Sequence, residues 1–228
     1  MVEALFLAVE RAQDEARAAV LHGVGKHFCA GLDLAEHAEK PLMAAVQGSR
    51  RWHRVFDAIE RGGIPFVCAM QGAVVGGGFE LAAAAQVRVA DATAFFGLPE
   101  GQRGIFVGGG GSVRIARLIG AQRMADMMLT GRTVAPVQME HWGGVSYVVP
   151  EGQALTRALE LAQAAASNAP MSNCAILNAL PRIRDMSSED GLFVESLMSS
   201  LTSITPEAKG RLRDFLERRT ARLEAPEE

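Results

Sequence analysis

The stretch from Pro65 to Leu81 restricts the fold more than any other part of the sequence. Pro65-Phe66-Val67-Cys68-Ala69-Met70 is an unbroken apolar run with no polar face, so it reads as a strand buried on both sides. Gln71-Gly72-Ala73-Val74-Val75 follows, and Gly76-Gly77-Gly78 then opens a helical stretch predicted over Phe79 to Gln86. Three consecutive glycines let another part of the chain, or a ligand, approach the backbone closely. The start of a helix also presents free N–H groups and a positive dipole end, a good place to hold an oxyanion. Glu80 sits beside those donors. Two readings are open at this point: the glycines serve packing and Glu80 caps the helix, or the segment is a site for developing negative charge.

Around this segment, strands alternate with helices. Ala18 to Leu21 is a short apolar run closing at His22-Gly23, and Pro41 can start a helix running through Trp52, Phe56 and Ile59 to Glu60. Val87 to Ala90 and Ala94 to Phe96 read as further strands, with another possible at Val145 to Val149. The alternation predicts an α/β class with helix-covered strands. From Gln153 to Leu223 the pattern is helical, broken near Pro170, Ser187 and Pro206. A core over residues 1–150 followed by a helical region over 151–228 is the expected organisation.

Composition removes several classes of function. The formal net charge is −3, unlike the strongly basic footprint of a dedicated nucleic-acid binder. No apolar run reaches the roughly 18 residues of a membrane span. The start, with Glu3 and Glu10, lacks the basic region of a secretory signal. Cys29, Cys68 and Cys174 are scattered and odd in number, as in a reducing compartment, so a cytoplasmic protein is expected. His22, His27, His37, His53 and His141 form neither HExxH nor an i, i+4 pair, and no metal site is expected. The glycine clusters match neither GxGxxG nor GxxxxGK, which disfavours a nucleotide fold, and no GxSxG elbow occurs.

A second pairing of glycine with acid follows Glu80 by twenty residues: Phe96-Gly97-Leu98-Pro99-Glu100, with Gly108 to Gly111 opening another helix. Alone, Glu100 reads as a loop carboxylate. Two carboxylates converging on a glycine-lined cleft could perform general acid and base work. Phe28-Cys29-Ala30-Gly31-Leu32-Asp33-Leu34 upstream completes the constellation.

These segments, together with MMLTGRTVAP and WGGVSYVVP at the expected spacing, resemble the enoyl-CoA hydratase/isomerase, or crotonase, superfamily. The resemblance runs from Ala18 to Pro150 and continues more weakly to the C-terminus. It implies a crotonase-like core of repeated ββα units and a helical C-terminal trimerisation region. It also implies trimers, often paired into hexamers, an acyl-CoA ligand, no nucleic-acid or membrane partner, and no cofactor beyond the coenzyme A carried by the substrate.

Residue by residue, the resemblance makes the backbone N–H groups of Leu32 and Gly77 the oxyanion-hole donors. Fixed donors of this kind are worth about 3 kcal/mol each to a developing enolate. It makes Glu80 and Glu100 the catalytic pair, Glu80 positioning and activating water and Glu100 exchanging a proton at Cα. Ala30, Gly31, Asp33, Gly76, Gly108, Trp52 and His53 are the expected substrate-binding residues. Gly108 stands where dienoyl isomerases and aromatic dehalogenases of the superfamily carry a functional aspartate, so those two chemistries are not expected. His53 has the spacing of the dehalogenases' histidine, 24 residues before Gly77, but without that aspartate Trp52-His53 reads chiefly as acyl-pocket wall.

Superfamily members usually carry two further strands before the point matching Met1. Either the start is assigned too far downstream, or the fold lacks these strands; the second case predicts weak coenzyme A binding and leaves the phosphates to Lys26, Arg218 or Arg219. Three functions follow: hydration of a 2-enoyl-CoA to a 3-hydroxyacyl-CoA, which the two retained glutamates favour; a double-bond isomerisation using Glu100 alone; or a crotonase-like binding or assembly protein without activity.

Overall fold

The computed structural model describes residues 1–33, 41–217 and 219; Leu34, His37, Arg218 and Leu223, named above, lie outside them. The chain divides into two compact units, Met1–Ser167 and Asn168–Glu228.

The first unit is built on two sheets. Strands β1 (Ala19–His22), β2 (Phe66–Met70), β4 (Val87–Asp91) and β7 (Tyr147–Val149) form a parallel sheet in the order β1-β2-β4-β7. Strands β3 (Ala73–Val75), β5 (Phe95–Gly97) and β6 (Thr133–Val134) form the second, in the order β3-β5-β6. The chain alternates between them: β2 then β3 then helix α3 (Gly77–Ala82), and β4 then β5 followed by helix α4 (Gly111–Ile119). The turn that begins with β1 follows the same plan, its second strand reduced to a bridge between Cys29 and Val74 ahead of helix α2 (Leu42–Arg61). This is the expected ββα repetition.

The unbroken apolar run of β2 is explained by its two covered faces. Phe66, Cys68 and Met70 join the main core with Phe56, Ile59, Phe79 and Phe96. Val67 and Ala69 face the other way, onto Ala154, Ala158 and Ala162 of helix α7 (Ala154–Ser167). Each large apolar side chain so buried contributes about 1.5–3 kcal/mol. Because α7 closes the outer face of the sheet, the first unit continues past Pro150, where sequence alone places the end of the core, to Ser167.

Two short strands, β3 and β6, have no counterpart among the expected elements. Helix α3 is also shorter than Phe79 to Gln86: its last turn tightens, with Ala84 N–H donating to Leu81 O and Ala85 N–H to Ala82 O. In the second unit, helices α8 (Pro170–Ile183), α9 (Ser188–Ser203) and α10 (Pro206–Leu216) begin where the sequence breaks fall. Pro170 and Pro206 occupy first turns, and Ser187 caps α9 by accepting from Asp190 N–H at 3.2 Å.

Candidate active site

One cavity of about 370 Å³ gathers most of the expected site residues. Ala30, Gly31, Leu32, Trp52, Gly76, Gly77, Glu80, Glu100 and Gly108 line it. Asp33 and His53 are not among its lining residues. Both are exposed; His53 follows Trp52 on α2 and is therefore turned about 100° from it around the helix, so Trp52 lines the cavity and His53 does not. Asp33 follows Leu32 at the edge of the described segment.

Two glycines make the close approach possible. A Cβ on Gly78 would lie 2.1 Å from the Cys29 carbonyl oxygen, so only glycine lets the segment around Cys29 lie against α3. Gly76 has φ +54° and ψ −123°, a conformation that a side chain strongly disfavours. In this arrangement the Leu32 nitrogen lies 3.7 Å from the Cβ position of Gly77, and the Gly77 nitrogen 3.4 Å from that of Gly31. The two amides therefore sit side by side at the cavity wall. With α3 only six residues long, a donor there acts through its fixed N–H more than through a helix dipole.

The two carboxylates sit in contrasting surroundings. Glu80, 5% exposed, accepts at Oε1 from the N–H groups of Gly109 and Gly111, both at 2.8 Å. Its Oε2 has no hydrogen-bond partner among the described residues. Glu100, 6% exposed, has Oε2 buried with no hydrogen-bond partner. Burial pushes the Glu100 carboxyl above the usual carboxylate range, and the nearby Glu80 charge adds to this, against backbone hydrogen bonding and Arg103, which pull it down. Such a group holds its proton more readily than an ordinary glutamate. An acceptor carboxylate and a protonatable partner on one cavity are the pieces of general acid–base chemistry.

Apolar walls surround this pair. Ala45, Ser49, Trp52 and Phe56 come from successive turns of α2, opposite Ile105, Phe106 and Val107. Ser49, Gly109 and Gly111 were not among the expected site residues. The helical spacing of Ser49 to Trp52 and Phe56 is the one sequence signal that points to Ser49; nothing local marks the two glycine amides as partners of Glu80. Of the cations expected to meet coenzyme A phosphates, Lys26 is exposed, Arg219 pairs with Asp214 and Glu217, and Arg218 lies outside the described residues. Cys68 is excluded as a nucleophile: burial pushes its thiol up to about 12. Among the described residues there is no group of three His, Cys, Asp or Glu side chains able to hold a metal, and no helix long and apolar enough to cross a membrane.

Alternating strands on two sheets, with a cavity lined by Leu32, Gly77 and two buried glutamates, define the class of α/β protein to which the chain belongs. The chain belongs to the enoyl-CoA hydratase/isomerase family, which matches it over residues 1–226. Enoyl-CoA hydratase EchA19 of Mycobacterium tuberculosis (strain ATCC 25618 / H37Rv) is 32% identical over 206 residues, covering 89% of this chain and 77% of that protein. Mevalonyl-coenzyme A hydratase SIDH of Beauveria bassiana (strain ARSEF 2860) is 41% identical over 170 residues, 71% of this chain and 61% of that protein. The crystal structure of a candidate enoyl-CoA hydratase from Rhodopseudomonas palustris CGA009 superposes with a TM-score of 0.92 at 48% identity, covering 96% of this chain and 85% of that one. The fold is therefore the crotonase fold.

Proposed function

We propose that this chain hydrates a 2-enoyl-CoA thioester to a 3-hydroxyacyl-CoA. The observation that carries the reading is the pair of buried carboxylates, Glu80 and Glu100, on one cavity beside the Leu32 and Gly77 amides. The thioester oxygen would sit between those two N–H groups, which stabilise the negative charge it gains as an enolate. Glu80 takes a proton from water while the water oxygen bonds to Cβ, and the alkene electrons move onto the thioester oxygen. Glu100 then gives its proton to Cα as the enolate collapses. The proton left on Glu80 returns to Glu100 through solvent, so the sum is one water added across the double bond, with no metal or redox group required and coenzyme A serving only as part of the substrate.

The relatives named as hydratases support this direction, and so does retention of both glutamates, since a double-bond shift needs only one proton carrier. The exposed apolar residues of α9 and α10 support self-association of the second unit, as a trimer or hexamer. The deciding experiment supplies crotonyl-CoA and a 3-enoyl-CoA to the purified protein. Turnover of the first to a 3-hydroxyacyl-CoA supports hydration; turnover of the second alone makes the protein an isomerase; turnover of neither leaves a binding or assembly role.

A further inference from the structure

The two N–H groups that hold Glu80 Oε1 belong to different peptide units, and those units are anchored in different ways. The Gly111 amide shares its peptide with the Gly110 carbonyl, which accepts from Val113 N–H at 3.1 Å and Arg114 N–H at 2.9 Å. That unit is built into the first turn of α4. The Gly109 amide shares its peptide with the Gly108 carbonyl, which lies in the loop. Its hydrogen-bond donor among the described residues is the Ser49 hydroxyl on α2, at 2.5 Å.

A chain of two hydrogen bonds results, from Ser49 O–H through the Gly108–Gly109 peptide to Glu80 Oε1. Donation to a carbonyl polarises the peptide and strengthens its N–H as a donor, so the two bonds reinforce each other. Ser49 has one hydroxyl proton and spends it on Gly108, so the 3.4 Å contact with His53 Nε2 is a donation from the imidazole N–H to Ser49 Oγ. A further clamp holds the same loop: Arg114, 8% exposed, donates to the Gly109 carbonyl at 3.2 Å and is itself fixed by Asp57 and Glu60 of α2.

Resting on the hydratase reading for its kinetic consequence, we infer that Ser49 is a positioning residue that fixes the Glu80 carboxylate through the Gly108–Gly109 peptide. Helix α2 thereby does two things at once: Trp52 and Phe56 wall the cavity, and Ser49 sets the carboxylate at its end. Seating of an acyl group against α2 is coupled to the geometry of the base.

The test uses Ser49→Ala and Ser49→Thr in the full chain, with amide exchange at Gly109 and Gly111 read by NMR on the protein without substrate. Ser49→Ala is expected to speed exchange at Gly109 about tenfold, as a locally loosened bond would, and to leave Gly111 nearly unchanged. Ser49→Thr keeps the hydroxyl and restores protection at Gly109. In crotonyl-CoA hydration, Ser49→Ala lowers kcat about tenfold with KM little changed, as displacement of a reacting group does. The threonine variant recovers kcat, while its extra methyl is read in KM. Unchanged Gly109 exchange in Ser49→Ala, or a threonine variant no better protected than the alanine one, would overturn the inference. Selective loss of Gly109 protection in a protein whose wild type hydrates nothing would uphold the Ser49 role and refute the hydratase reading instead.

Discussion

Gly76 and Glu100 compete for one volume: a Cβ on Gly76 would lie 2.9 Å from Glu100 Oε1. The backbone at Gly76 also has φ +54°, which a side chain would strain by about 1–3 kcal/mol. Gly76→Ala should therefore lose stability of that order in chemical denaturation, and should lower kcat by about tenfold to a hundredfold by displacing the carboxyl group. A variant with wild-type kcat would mean that Glu100 need not occupy its present position.

Glu80→Gln and Glu100→Gln should each lower kcat for 2-enoyl-CoA hydration by about two to four orders of magnitude, the span of a lost general acid or base. The double variant should fall short of the product of the two losses, because in the proposed reaction both groups serve one addition and loss of either already disables it. Strictly multiplicative losses in steady-state assays would show that the two carboxylates act independently rather than as a unit.

The same burial that raises the Glu100 pKa makes the residue a source of pH-dependent stability. Below the unfolded carboxyl pKa the group is protonated in both states and contributes no penalty. As pH rises, the unfolded chain ionises first while the native state retains its proton, so stability is lost progressively until pH passes the folded value. Glu100→Gln has no such proton to lose. Its melting temperature relative to the wild type should rise between pH 4 and pH 7.5, as thermal scans at the two values would reveal. A difference that is flat or falls across this interval would contradict the burial argument.

Within the second unit, Leu192, Phe193 and Leu197 of α9 and Leu212, Phe215 and Leu216 of α10 are exposed, with Phe193 at 65%. Apolar stripes of this kind mark an association surface. Sedimentation is expected to give a trimer or hexamer, and Phe193→Glu to shift it toward smaller species. A clean monomer of the unmodified chain at micromolar concentration would remove the proposed role of these helices.

Much of the architecture could be read from the chain because its signals are local. The apolar run of β2 needs two covered faces, and Pro170, Ser187 and Pro206 mark helix starts by chemistry that does not depend on neighbours. β3 and β6 escaped because two or three residues carry no periodicity, and their strand character comes from pairing with β5. Glu80, Glu100, Leu32 and Gly77, which the structure brings to one cavity, stand in motifs legible in the sequence. The partners of Glu80 were not, because Gly109 and Gly111 act through backbone N–H groups whose direction is set by Ser49 and by the start of α4. His53 shows the converse: adjacency to Trp52 in sequence suggested a shared wall, and the helical rotation between successive residues separates them.

Turnover of crotonyl-CoA in oxygen-18 water, with product analysed by mass spectrometry, tests the central claim most directly. The account predicts 3-hydroxybutyryl-CoA carrying the label in its hydroxyl group, formed by the wild type and suppressed in both Glu80→Gln and Glu100→Gln with the fold retained. Absence of labelled hydroxyacyl product from the wild type, or undiminished labelling by either variant, would contradict the assignment of this cavity as a water-adding site.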